Sequence, residues 1–417
     1  MSSNVDVAII GAGAAGLAAA HALEQSALSF VLLEADSRIG GRAHSEDMPD
    51  GSVFDLGCHW LHSATINPFV ETADRLGVAY VRPPGDGYGP SDYYQGGVLL
   101  GSKEIARGVD YMASRERALR AAWSEGRDQS VLETVDRAHP WADFADYYDS
   151  LNTSSDVDQI SIGDMVSYND TWQNWPVTGG YGHLVQRWGC SLPVSLNTNV
   201  QAISWGGPNV RVETSRGTII ASRVILSVST GVLASGMIRF TPDLPVEKRE
   251  SVQALPLGNF NRIRLAVDWQ GVRSELPQRV VVARDGVPPM LLSLRPYDHD
   301  CVVGLVAGRY ADWLEKAGPA SLREAATTAL CDVFGSSMRE RIGADRQSAW
   351  RGNPFILGAY STSQPGQFHQ RAKLAQPLAE RLFFCGEATS PDAFCTCHGA
   401  RLTGERAAGE VLESLGC

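Results

Sequence analysis

The apolar run Val5–Ile10 opens directly into Gly11-Ala12-Gly13-Ala14-Ala15-Gly16, and an alanine-rich stretch follows. The β-branched run reads as a buried strand. Leu17 to Leu28 then reads as a helix, and Phe30–Leu33 as a second strand closed by Glu34. A lone glycine triplet says little. Strand, glycine turn, helix, strand and acidic residue in this order form the dinucleotide-binding βαβ unit. Gly11 supplies the tight turn, Gly13 lets main chain approach a pyrophosphate, and Gly16 seats the helix on the strand. The helix N-terminus offers amides and a positive dipole end to phosphates. Glu34 is placed to hold both ribose hydroxyls, and its charge repels a 2′-phosphate.

The chain has 417 residues, too many for one hydrophobic core, so two or three domains are expected. A formal net charge of −11 without a basic tract argues against nucleic-acid binding. No run of 18 apolar residues occurs, so no membrane span is expected. The N-terminus lacks the basic region of a signal peptide. Eight scattered cysteines suit reduced thiols in a cytoplasm better than a disulfide framework. Cys395 and Cys397 lack a second ligand pair, so no metal is expected.

After Glu34 comes Arg38-Ile39-Gly40-Gly41-Arg42. A nicotinamide dehydrogenase has no need of this second glycine pair, whereas a protein that buries FAD along its length does. Its arginines either neutralise a buried pyrophosphate or lie on a solvated loop. With these segments the sequence resembles the flavin amine oxidase superfamily of monoamine oxidases, polyamine oxidases and lysine-specific histone demethylases. DVAIIGAGAAGLAAA, LLEADSRIGGRA, DLGCHWLHSATINP, VTGGYGHLV, RVILSVSTGVL and FFCGEATSPDAFCTCHGARLTGERAA carry the likeness. It is strongest to polyamine oxidases, through Trp60-Leu61-His62 with Asn67-Pro68, Trp350 with Asn353-Pro354-Phe355 and Tyr360-Ser361, and Thr396-Cys397-His398-Gly399-Ala400.

The resemblance implies an α/β fold: a Rossmann-like, glutathione-reductase-type FAD domain with an α+β substrate domain containing a mixed sheet. We expect the FAD domain in residues 1–80, 178–250 and 356–417, and the substrate domain in 81–177 and 251–355. Implied cofactor contacts are Gly11, Gly13, Ala15, Gly16, Glu34 and Ala35, then Arg38, Gly41 and Arg42. Gly57, Cys58, His59 and Trp60 follow, then Val200 and Trp350, and finally Gly386, Glu387, Thr396 and Cys397. Monoamine oxidases attach FAD through a cysteine before a tyrosine. Ala359 stands there, before Tyr360, so the implied FAD is non-covalent.

His59 and His62 flank Trp60. In an extended segment they point to opposite faces and cannot share a metal. By resemblance His62 borders the substrate channel, where it holds or deprotonates an amine, a task that suits an imidazole. A hydrogen-bonded structural histidine is the alternative, and for His59 it is the expectation. His398 is expected beside the flavin or in a structural role. In Gly258–Asp268, Ile263, Leu265 and Val267 alternate with Arg262 and Arg264, which reads as an antiparallel strand with one wet face. The related enzymes place a lysine where Arg262 stands, and it serves the reaction of reduced flavin with oxygen. Arginine is not equivalent there. By resemblance Tyr360 is expected to supply one wall of the cavity and Trp60 to narrow it, with plain core packing as the alternative for each.

Residues 102–148 look helical, and Asp143, Asp146 and Asp149 read as a solvated face. Tyr168, Trp172, Trp175 and Tyr181 read as an aromatic cluster that either roofs a cavity or seals a domain junction. The resemblance implies hydride transfer to FAD from the carbon α to a small amine's nitrogen, with dioxygen as the acceptor. The protein would be a monomer or homodimer. A dehydrogenase, desaturase or isomerase acting on a non-amine is the rival on the same scaffold.

Overall fold

The computed structural model describes residues 3–86, 89–272 and 275–417. Strand β1 (Ser3–Ile10) lies between two parallel neighbours, β2 (Phe30–Leu33) and Gly217–Leu226. Its Val7, Ala8 and Ile9 are fully buried, as a strand covered on both faces requires. Helix α1 runs Ala14–Leu23, starting and stopping earlier than the sequence suggests. Gly13 takes an extended conformation as its N-cap, so the helix begins within the glycine motif. The sheet order is Arg239–Thr241, Val200–Ser204, Val210–Thr214, Gly217–Leu226, β1, β2 and Val194–Ser195, with Leu382–Phe384 also pairing with Gly217–Leu226. The C-terminal helix, Cys397–Leu415, packs on α1 so closely that a Cβ on Gly404 would stand 2.0 Å from the Ala15 carbonyl oxygen.

The second sheet is ordered Ile342–Gln347, Phe260–Val267, Cys301–Ala307, Val287–Leu294, Arg279–Arg284, Ser91–Gln95 and Val98–Leu99. It is mixed, because Ser91–Gln95 runs parallel to Arg279–Arg284 among otherwise antiparallel pairs. Alternation decides its two faces. Ile263, Leu265, Val280 and Val282 pack with helices Gly308–Ala317 and Pro319–Phe334, while Val281, Ala283 and Leu291 meet helix Ala142–Thr153. No helix among the described residues is long and apolar enough to cross a membrane.

Four expectations need correction. The arginine face of Phe260–Val267 is not wet: Arg262 and Arg264 are each only 7% exposed. The segment around 50–57 lies over it. Arg264 bonds Asp50 and Ser52, and Arg262 donates to the Gly57 carbonyl at 3.3 Å, its guanidinium 5.5 Å from the Phe54 ring centroid. Residues 102–148 are not one helical stretch but Ser102–Ser124, Val131–Thr134 and the start of Ala142–Thr153. Nor is its acidic face solvated throughout. Asp149 accepts from buried Arg115 at 2.5 Å and Asp146 at 2.7 Å, leaving Asp143 outside with Arg137. The four aromatic residues do not cluster either. Tyr181 is buried against Phe69, Trp175 stacks on Tyr80, Tyr168 meets Phe394, and Trp172 is 62% exposed.

Candidate active site

A cavity of about 1690 Å³ is walled by the glycine turn after β1 at one end and by the second sheet at the other. That exceeds the roughly 300–1,000 Å³ of a pocket for one small ligand, and leaves room for a dinucleotide and a substrate together.

The dinucleotide end fits its expected occupant. Gly11 holds φ +98°, a conformation costly for any residue with a Cβ. A Cβ on Gly16 would collide with the Gly11 carbonyl at 1.8 Å, whereas beside Gly13 nothing lies within 4 Å, so an approach to its main chain is open. Glu34 is buried at the end of β2, where its two oxygens accept the Ala12 and Asp36 amides at 2.7 and 2.8 Å. Burial pushes its carboxyl above the usual range, against those amides. Ala15, Ala35, Gly41 and Val200 join this wall. Gly16 and Arg38 stand behind it: Gly16 seats the helix, and Arg38 donates to the Gly41 carbonyl at 2.8 Å, shaping the second glycine turn.

Arg42 closes the middle of the cavity. Its Nη1 donates to Glu387 at 2.8 Å and to the Ala359 carbonyl at 2.6 Å. Glu387 also accepts from the Ser361 hydroxyl and the Cys395 amide, at 2.7 and 3.0 Å. Burial opposes its charge, but Arg42 and Arg371 outweigh burial and hold the carboxyl below the usual range. Gly57, Cys58, Trp350, Gly386 and Cys397 complete this stretch of wall. Trp350 is anchored by an indole hydrogen bond to the Leu56 carbonyl at 3.0 Å. Thr396, also on the wall, caps the C-terminal helix through its hydroxyl and the Gly399 amide at 3.0 Å. His398 lies in the first turn of that helix.

At the far end Trp60, His62, Arg262 and Tyr360 all line the cavity. Trp60-Leu61 forms a two-residue ladder with Trp175-Pro176, which brings Asn174 beside His62. His62 Nδ1 donates to Asn174 Oδ1 at 2.8 Å, and the Asn174 amide group donates to the Asp86 carbonyl at 3.1 Å. That fixes the His62 tautomer and leaves Nε2 as its acceptor nitrogen. Burial lowers the His62 pKa, so the ring is neutral. His59 has separate partners, Asp55 at 2.6 Å and the Tyr297 hydroxyl at 3.1 Å. Tyr360 donates its hydroxyl to the Leu151 carbonyl, and its ring lies 5.8 Å from Phe260. Arg262 Nε has no hydrogen-bond partner among the described residues, and burial lowers its pKa. No group of His, Cys, Asp and Glu among the described residues has the makings of a metal site.

Sequence reasoning missed Asn174, Asp55 and Tyr297. Only Asp55, beside the motif, carried a local signal. Asn174 and Tyr297 reach the histidines across 112 and 238 residues of chain.

A family model described as flavin containing amine oxidoreductase matches residues 134–412. The chain belongs to that family. A model for an NAD(P)-binding Rossmann-like domain matches residues 9–76. Polyamine oxidase 4 of Oryza sativa subsp. japonica is 28% identical over 464 residues, spanning 99% of this chain and 90% of that protein. Among solved structures, a wild-type putrescine oxidase bound to putrescine superposes with a TM-score of 0.82 at 19% identity, covering 99% of this chain and 100% of that one. The cyclohexylamine oxidase from Brevibacterium oxydans gives 0.82 at 19% identity, covering 100% of both chains. At such identities the two structures speak to fold alone. This amine oxidoreductase uses FAD to oxidise a small-molecule amine, and a non-amine substrate is not favoured.

Proposed function

We propose that this amine oxidoreductase acts on a polyamine or a related primary or secondary amine, with dioxygen as the electron acceptor and hydrogen peroxide as a product. The observation that carries the reading is one continuous cavity joining the glycine cradle to a half-buried His62 whose Nδ1 is held by Asn174. When bound, FAD takes the hydride from the carbon α to the amine nitrogen. The chain's own residues prepare that event. His62 Nε2 accepts from an amine N–H, with Asn174 holding the ring. Trp60 and Tyr360 narrow the space around the substrate carbon. Water hydrolyses the resulting imine.

Arg262 places a fixed positive charge in the wall, where it stabilises negative charge developing on oxygen. Ala359 offers no thiol for attachment, which supports non-covalent FAD. The domain division proposed above accords with the two sheets: strands at 3–33, 194–241 and 382–384 form one, and strands at 91–99 and 260–347 the other. Eight free cysteines support a reducing, cytoplasmic setting. We further propose a monomer or homodimer.

The test is flavin absorbance of the purified protein mixed anaerobically with monoamines, diamines and polyamines, then opened to air. Bleaching by one class identifies the substrate, and prompt recovery in air establishes oxygen as acceptor. Slow recovery points to another acceptor.

A further inference from the structure

Tyr297 stands in a turn between strands Val287–Leu294 and Cys301–Ala307. Three non-glycine residues there hold left-handed backbone: Arg295 at φ +45°, Tyr297 at +56° and Asp298 at +64°. Such conformations persist only where the surroundings enforce them, and they gather at functional sites. Here the turn carries the Tyr297 hydroxyl to 3.1 Å from His59 Nε2.

The direction of this contact follows from what lies behind it. Asp55 is buried, and its Oδ1 already accepts the Tyr181 amide at 2.9 Å and the Ser45 hydroxyl. Its Oδ2 lies 2.6 Å from His59 Nδ1. An ionised carboxylate only accepts, so Nδ1 carries the proton and Nε2 the lone pair. The Tyr297 O–H therefore donates to Nε2. Hydroxyl, imidazole and carboxylate stand in the order that withdraws a proton from the hydroxyl of a serine triad. Tyr297, His59 and Asp55 all line the cavity, with Arg262 and Trp60 beside them. The His59 and Trp60 rings meet edge to face at 5.5 Å.

Amine oxidation needs such a device. A protonated amine has no lone pair to support hydride loss, and most amines arrive protonated. We propose that Tyr297 takes this proton from the substrate ammonium, with His59 and Asp55 as the positioning residues behind it. An N–H bond of the ammonium breaks and an O–H bond forms on Tyr297. The original Tyr297 proton passes to His59 Nε2, and the resulting imidazolium donates to Asp55. One positive charge moves from substrate to His59, and no electrons transfer.

The charged and titratable groups facing His59 are Asp55, Arg262 and Tyr297, with His62 further along the same segment. Burial, then Arg262, lower the His59 pKa against the pull of Asp55, so the ring rests neutral with its Nε2 lone pair toward the Tyr297 hydroxyl. Tyr297 is 43% exposed, and partial desolvation in the wall still raises its pKa, so it waits as the phenol. Arg262, a cation in the same wall, disfavours the ammonium and the His59 imidazolium alike, so the relay depends on Asp55 to hold the charge that reaches His59. The proposal rests on the amine reading of this cavity.

The test compares Tyr297→Phe, His59→Asn and His62→Asn holoenzymes with the wild type by anaerobic flavin bleaching. Two amines of matched shape are used: an ordinary alkylamine, and a β-fluorinated analogue already neutral near physiological pH. On the ordinary amine at neutral pH, Tyr297→Phe and His59→Asn should each lose about 100-fold. The fluorinated amine should restore most of that, as should raising the pH to about 10, where free alkylamine exists in solution. An equal loss on both amines at every pH marks a structural role and overturns the proposal. So does an amine-dependent loss confined to His62→Asn. If no amine bleaches the wild-type flavin, the amine reading itself falls and takes the proposal with it. If one variant fails to fold, the other still decides. Imidazole ¹⁵N NMR gives a readout without turnover. The His59 Nε2 resonance should move in Tyr297→Phe, and an unmoved resonance overturns the hydrogen bond on which the relay depends.

Discussion

Arg42 donates a hydrogen bond to Glu387 at 2.8 Å across 345 residues of chain. The pair ties the glycine loop after β2 to the segment before the C-terminal helix, in the middle of the cavity wall. Glu387→Ala leaves the Ser361 hydroxyl and the Cys395 amide without their acceptor and leaves Arg42 only the Ala359 carbonyl. One charge-assisted hydrogen bond is worth about 1.5–3 kcal/mol, which corresponds to about tenfold or more in FAD affinity. Titration of the FAD-free variant with FAD, followed by flavin fluorescence, should show that weakening. Unchanged affinity would mean the pair merely braces the fold.

Asn174 is 1% exposed and holds His62 Nδ1. Asn174→Ala should release the imidazole to rotate and exchange tautomers. We expect kcat/KM for the amine to fall by about tenfold, the worth of one hydrogen bond. The acidic limb of the pH profile should move with it, which a purely structural contact would not cause.

Arg262→Met keeps an unbranched chain over Phe54 and removes the charge. Losing one preorganised group at a site of developing negative charge costs about 100-fold or more. Recovery of amine-bleached flavin in air should slow by that order. Recovery at the wild-type rate would remove Arg262 from the oxygen reaction.

His398 sits in the first turn of the C-terminal helix, 2% exposed, and burial lowers its pKa to about 3. An unfolded histidine titrates near 6.5, so between the two values the unfolded chain binds the extra proton. Stability from this site is full above about pH 6.5 and is lost as pH falls toward the folded value, on the order of a few kcal/mol by about pH 4. His398→Gln should lose less Tm on acidification than the wild type. Parallel losses would place the acid sensitivity elsewhere.

Local pattern was enough for the βαβ unit, because the chemistry of Gly11, Gly13 and Glu34 is written within one short segment. It was also enough to alternate Ile263 and Leu265 against Arg262 and Arg264. It failed on what covers the arginine face, since the cover comes from residues 50–57, about 200 positions away. Asp149 misled for the same reason: its partner Arg115 lies on another helix. The β-like surroundings of His59 and His62 told that the rings part company, but not which residues receive them. Tyr297 arrives by left-handed backbone at three non-glycine residues, a conformation that no propensity of arginine or tyrosine suggests.

The two far neighbours of the N-terminal unit have a consequence for how the chain is made. On emerging from the ribosome, β1 has β2 at hand, but its other edge stays bare until residues 217–226 follow. The face of α1 beneath Gly404 waits longer, for the last helix. Contacts so distant in sequence close slowly, and the unpaired edge and uncovered apolar face invite aggregation meanwhile. The dinucleotide cradle thus stays incomplete until strand Gly217–Leu226 and helix Cys397–Leu415 have both joined it, and its ligand has nothing finished to bind before then.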